Sequence, residues 1–296
     1  MKLYGNGVLL NGMTEQVTLE RNCGEAAATL TADLITAVGD TYFQKESLSL
    51  GDVVRLLDDE GKECFLGAVQ MLRRTPETVR LVACDRGLFL TQNQLHGVFA
   101  GSGADIVKAV GRQLGLAVGQ VDASAAYRCV TANTGESAFS LLRRVVGEGR
   151  EIALSDGALT VRKWSGNVYR LPPEHVLAAE GLADIRKMVN RAVVVDYKKR
   201  VVATAQNSEE LKAYGQRQRI LGKQGSDPQT QAKAALQGKV LGGTVTLWGD
   251  LNYRCGDAVE LHRSAWGMAG VYRITAVQHR WKAGTFTTEL TLEGIG

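Results

Sequence analysis

The hexapeptide GDVVRL begins at Gly51 and GDAVEL begins at Gly256, 205 residues later. GAVQML starts sixteen positions after the first glycine, and GVYRIT starts fourteen positions after the second. ETVRLVACD, from Glu77, then has a counterpart in FTTELTLEG, from Phe286. A Gly-Asp pair alone is a common turn signal. Three segments recurring in one order constrain the chain more tightly, because each copy has β-branched alternation broken by turns. They predict a similar strand-rich unit at each end. Glycine (34 residues) against only 4 prolines fits sheets joined by sharp turns. With 296 residues and 45% hydrophobic content the chain can bury a core of about two domains.

The expected fold is α+β and mainly β, with two similar antiparallel β-barrel domains and smaller inserted α/β elements. Residues 1–90 form the first barrel, with Gly67 at a bend or bulge. Within 91–170 the period changes. Ser102 and Asp105 are spaced to cap a helix bearing Ile106, Ala109, Val110 and Leu114, and Asn133 with Glu136 are spaced to cap another bearing Phe139, Leu142 and Val145. Asp156-Gly157 supplies a hairpin turn between Ile152/Leu154 and Leu159/Val161. Pro172-Pro173 mark a boundary. Residues 171–241 connect strands and helices. They include strands around Tyr197-Lys198-Lys199-Arg200, a short helix capped by Asn207, and a helix from Asp227-Pro228 onward to Val240. Residues 242–296 form the second barrel, with strands from 182–205 available to complete it.

Charge is placed unevenly. Between Arg191 and Lys223 eight basic residues oppose three acidic ones, in a chain of net +4. Such a local basic surface suits an acidic protein partner as well as phosphate. The residues that this reading singles out for a subunit or partner interface are Lys198, Lys199, Arg200, Lys212, Tyr214, Arg217 and Arg219, together with Trp266 in the small-residue loop SAWGMAG. Lys198, Lys199, Arg200, Arg217 and Arg219 could instead contact nucleic-acid phosphates, with Tyr197 or Tyr214 stacking on a base.

Enzyme signatures are absent. His96, His175, His262 and His279 form no compact metal pattern, and the five cysteines stand apart with no CxxC. GSGAD at 101–105 matches neither GxGxxG nor a phosphate loop. No catalytic, metal or cofactor-binding residue is assigned, and no cofactor is expected. The start MKLYGNGVLLNG reads as neither secretion signal nor anchor, and no apolar run reaches the roughly 18 residues of a membrane span, so membrane insertion is not expected.

Four segments, LSLGDVVRLLDDEGKECFLGAV, DIRKMVNRAVVVD, ATAQNSEELKAYGQRQRIL and the terminal GDAVELHRSAWGMAGVYRITAVQHRWKAGTFTTELTLEG, occur in the order found in tail baseplate hub proteins of phages and phage-like contractile particles. The chain resembles that family over most of its length. The resemblance implies two barrels per chain and a homotrimer that presents six similar units to a hexameric tail tube or tube initiator, while keeping three-fold order toward the central spike trimer. Other baseplate proteins would attach to the same hub, and DNA could pass through its lumen. Assembly would take place in the bacterial host cytoplasm, and the final location would be the particle's tail baseplate. The implied role is a structural symmetry adapter. The alternative is a nucleic-acid-contacting channel protein, and a hydrolase is less favoured still.

Overall fold

The structure is a computed structural model that describes residues 1–294 except 37–46, 148, 156, 165, 226 and 263–266. It is mixed α+β and mainly β. Its frame is one 13-stranded sheet. Ten strands carry the argument. The first five are β1 (Thr14–Asn22), β2 (Thr29–Ile35), β3 (Val53–Leu57), β4 (Glu63–Arg74) and β5 (Thr78–Asp85). The second five are β6 (Val176–Asp184), β7 (Val240–Trp248), β8 (Ala258–Leu261), β9 (Gly270–Lys282) and β10 (Thr285–Gly294).

The echo in the sequence is an echo in topology. The first five strands lie side by side as β1-β2-β5-β4-β3, and the second five as β6-β7-β10-β9-β8, with every neighbouring pair antiparallel. Bulges fall at matching places. One interrupts β1 between Thr14 and Gln16 and its counterpart lies in β6 between Val176 and Ala178. Another lies in β4 between Val69 and Met71, matched in β9 between Ile274 and Ala276. Since a bulge reverses the side-chain alternation, keeping both in place keeps the same positions pointing inward.

The two Gly-Asp turns match bond for bond. Gly51 and Gly256 both have φ of 88°, a left-handed conformation that glycine adopts without a Cβ penalty. The Gly51 N–H donates to Val69 O and the Val69 N–H to Asp52 O; Gly256 N–H donates to Ile274 O and Ile274 N–H to Asp257 O. Inward positions then agree. Val54, Leu56, Val69 and Leu81 are buried in one apolar cluster, and Val259, Leu261, Ile274 and Leu290 are buried in another.

The sequence predicts two separate barrels; the structure joins the two halves into one sheet. The cause is the length of β9. Its beginning, 270–273, pairs with β8, and its remainder, Ala276–Lys282, pairs antiparallel with Asn22–Gln16 of β1. A second difference concerns the strand that completes the later half. This is β6, beginning at Val176, whereas most of 182–205 goes elsewhere. Arg191–Val195 and Val201–Gln206 form a separate three-stranded sheet with Gln218–Gly222.

Between the halves, Ala117–Val121, Arg150–Ser155 and Ala158–Lys163 make a three-stranded sheet whose apolar cluster includes Ile106, Val110, Leu141 and Leu142 of helices 103–113 and 138–146. Ile152 pairs with Val161 and Leu154 with Leu159; Asp156 lies outside the described residues. Ser102 and Asp105 form the expected reciprocal cap. The next helix starts later than its spacing suggests. Asn133 and Glu136 close a turn through the Asn133 N–H, and Ser137 is the cap. The helix capped by Asp227 spans Pro228–Ala234 and stops short of Val240, because Gln237 bridges to Val189 instead.

Candidate assembly interface

The basic segment divides into two groups. The strand pairing sets Arg191 beside Gln206 and Gln218 at one end of the small sheet, and Val195 beside Val201 and Gly222 at the other. Five residues at strand rise separate those ends by ~15 Å. Lys198, Lys199 and Arg200 lie at the second end, in the turn between the first two strands. There the Asp196 carboxylate accepts the Lys198 and Arg200 N–H groups at 2.8 and 2.9 Å and pairs with the Arg200 guanidinium at 2.9 Å. These bonds, led by the Arg200 N–H, hold the Asp196 carboxyl below its usual pKa. Lys198 lies over the exposed Tyr197 ring, 5.4 Å from its centroid.

Lys212, Tyr214 and Arg217 belong to the first end. Lys212 and Tyr214 lie on the helix Ser208–Tyr214, which Asn207 caps through the Glu209 and Glu210 N–H groups. Arg217 is a positioning residue. Its N–H donates to the side-chain oxygen of the fully buried Asn190 at 2.8 Å, and its guanidinium donates to Ile185 O at 3.1 Å, one residue beyond β6. Arg219 is exposed on Gln218–Gly222. Trp266 lies outside the described residues. The candidate residues therefore do not converge on one patch, and Arg217 ties the segment to the end of β6.

Sequence reasoning overlooked β6 itself. None of its nine residues is buried, and Leu177 and Leu182 are exposed. VLAAEGLAD has three alanines and a glycine and no basic residue, so neither β-propensity nor a basic cluster marks it. Nor does its distance from the Gly-Asp turn mark it, since β6 starts far further ahead of Gly256 than TEQVTLERN does of Gly51, with the small three-stranded sheet intervening.

The joint between the halves is firmly built. Cys23 N–H donates to Thr275 O at 2.9 Å, and the Cys255 thiol donates to Arg21 O at 3.2 Å. Arg21 reaches Asp85 at 3.6 Å and Glu151 at 3.2 Å, and Arg143 donates to Cys23 O at 2.8 Å, which fastens the inserted unit across the joint. Burial raises the Asp85 pKa, and the Cys23 thiol beside it raises that of Cys255. Among the described residues no group of three or more His, Cys, Asp or Glu side chains is arranged to hold a metal. No helix among them is long and apolar enough to cross a membrane.

The family described as YQBQ-like matches residues 17–293. No curated protein matches the chain. Among solved structures, the 43 kDa tail protein of prophage MuSo2 from Shewanella oneidensis is similar with a TM-score of 0.75, at 16% identity over 98% of this chain and 95% of that one. A tail protein from Neisseria meningitidis MC58 has a TM-score of 0.71, at 14% identity over 100% and 96% of the two chains. An Escherichia coli protein, c3393, described as a component of the type VI secretion system with structural similarity to T4 tail proteins gp27 and gp5, has a TM-score of 0.61 at 11% identity, over 100% of this chain and 77% of its own. At these identities the likeness is one of fold.

Proposed function

The chain belongs to the YQBQ-like family, and from that premise we propose that it is a structural hub at the distal end of a phage or phage-like tail. The observation that carries this reading is the duplication. One chain holds two sheet halves with the same strand order, the same bulges and the same Gly-Asp turn. A ring of three such chains offers six similar units to a hexameric tail tube or tube initiator and keeps three-fold order for a trimeric spike. Each half then acts as one sixth of the tube-facing surface, while the unlike inserts between them serve the three-fold side. The role is structural and involves no catalysis. The shared fold of the tail proteins from Shewanella oneidensis and Neisseria meningitidis supports it.

In this reading Lys198, Lys199 and Arg200 at one end of the small sheet, and Lys212, Tyr214 and Arg219 at the other, contact neighbouring baseplate proteins, with Arg217 holding the backbone behind them. Lumenal DNA, where present, passes without strong clamps, since several firm phosphate contacts would resist its movement. Assembly takes place in the bacterial host cytoplasm and the finished hub resides in the particle. Gold labelling of a tagged chain in assembled particles tests the placement. Label is expected at the tail tip; label along the tube, at the opposite end, or missing from particles would reject the hub role.

A further inference from the structure

Inside the chain, the two halves share one sheet because the far part of β9 receives β1 as an antiparallel neighbour. Duplication makes β4 the counterpart of β9 and β6 the counterpart of β1. Past Val69, β4 has β5 on one side and no described strand on the other. Strand β6 has β7 on one side and likewise no described strand on the other. Among the described residues each chain therefore repeats both sides of its internal joint as strand edges with no strand paired to them.

We propose that β6 of one copy adds to β4 of the next, in the register of the internal joint. Matching residues through the shared bulges carries Ala276, Val277 and Gln278 onto Met71, Leu72 and Arg73, and Asn22, Arg21 and Glu20 onto Asp184, Ala183 and Leu182. The pairing Ala276 to Asn22, Val277 to Arg21 and Gln278 to Glu20 then becomes Met71 to Asp184, Leu72 to Ala183 and Arg73 to Leu182 across the two copies. Pro76 lacks an N–H and ends the ladder soon afterwards, so this joint is shorter than the internal one.

Exposed side chains fit the arrangement. Leu177 and Leu182 are 43% and 52% exposed on an edge strand, Met71 is 38% exposed, and Leu50, at 67%, is among the most exposed large apolar residues. A long open edge with apolar side chains normally invites pairing with another chain. The same matching carries the internal contact between Cys255 and Cys23 onto Leu50 and Ile185, so an exposed leucine in a turn gains an apolar neighbour. Arg73 lies opposite Leu182 with Glu180 and Asp184 at the diagonal positions, where opposite charges attract. A single donor edge and a single acceptor edge per copy make the contact head to tail, and it gives a ring where the rotation closes.

This inference rests on the ring assembly proposed above, and one experiment separates the two. Full-length Arg73→Cys and Leu182→Cys chains are mixed and oxidised over a range of concentrations, and the bonds are mapped by peptide mass. Directly opposed residues on paired strands lie within disulfide reach. The expected result is a bond from position 73 to position 182, necessarily between chains, and its loss when Leu72→Cys replaces Arg73→Cys, because residue 72 points to the other face. Multimers in native mass measurement without an excess of the 73–182 bond would overturn the strand assignment and leave the ring standing. Chains that stay monomeric and give no such bond would overturn both.

Discussion

Gly256→Ala is expected to destabilise the fold by roughly 2–5 kcal/mol, and Gly51→Ala by only about 1–2 kcal/mol. Both glycines have φ of 88°, where an L side chain meets the carbonyl that follows it, so both substitutions carry the same backbone cost. Their surroundings differ. A Cβ on Gly51 would have nothing within 4 Å, whereas one on Gly256 would stand 2.2 Å from Cγ of Trp164. That ring is held in place, with its backbone N–H on Gly149 O and the Arg273 guanidinium 5.1 Å from its centroid. It cannot swing away without breaking the contact between the inserted unit and the second half. Chemical denaturation of the two variants reads the difference directly. Equal losses would mean that Trp164 does not pack over the second turn.

A second large effect is expected from acid. His279 is only 8% exposed, among Thr288, Trp281 and Phe286. The Thr288 hydroxyl donates to Asp250 O, so the 3.0 Å contact to His279 is met by a proton on Nδ1 of the neutral ring. Burial lowers its pKa to about 4, against an ordinary value near 6.5 in the unfolded chain. Between those values the unfolded state binds the extra proton. Stability is therefore complete above about pH 6.5 and falls by roughly 3 kcal/mol as pH drops toward 4. Asp85 acts in the opposite sense, because burial raises its pKa and its ionised form is the costly one. The difference between wild type and His279→Gln isolates the histidine. It should shrink steadily across that window; parallel stability curves would show that His279 does not ionise with unfolding.

The duplication was legible because its markers are local. A Gly-Asp turn with left-handed glycine needs a residue without a Cβ at a fixed distance from the next strand, and Gly51 and Gly256 keep that requirement visible. The inward residues Val54, Leu56, Val259 and Leu261 alternate as strands should. The joint between β9 and β1 left no such trace, since backbone pairing between residues more than 250 apart depends on no particular side chain. For the same reason β6 was missed, and the neighbouring valine-rich Arg191–Val195, with stronger β-propensity, stood in for it.

The candidate interface was legible in part. Charge density drew attention to 191–223, but charge says nothing about where strands begin and end, and the small sheet separates Lys198–Arg200 from Arg217. Nor could spacing show that the Arg217 guanidinium donates to Ile185 O. In the register of the shared bulges the buried Val17 and Leu19 of β1 match Ala179 and Gly181 of β6, whereas Leu177 and Leu182 of β6 match the exposed Glu15 and Glu20. The second half thus carries leucines where the first carries exposed glutamates, on a strand with no described neighbour on its outer side.

Native mass measurement of the chain across concentration, alone and reconstituted with a tail-tube protein and a spike, tests the hub reading most directly. The expected species contains three chains of 31.9 kDa and binds one hexameric tube ring on one side and one spike trimer on the other. A chain that remains a monomer in the reconstituted baseplate would contradict it.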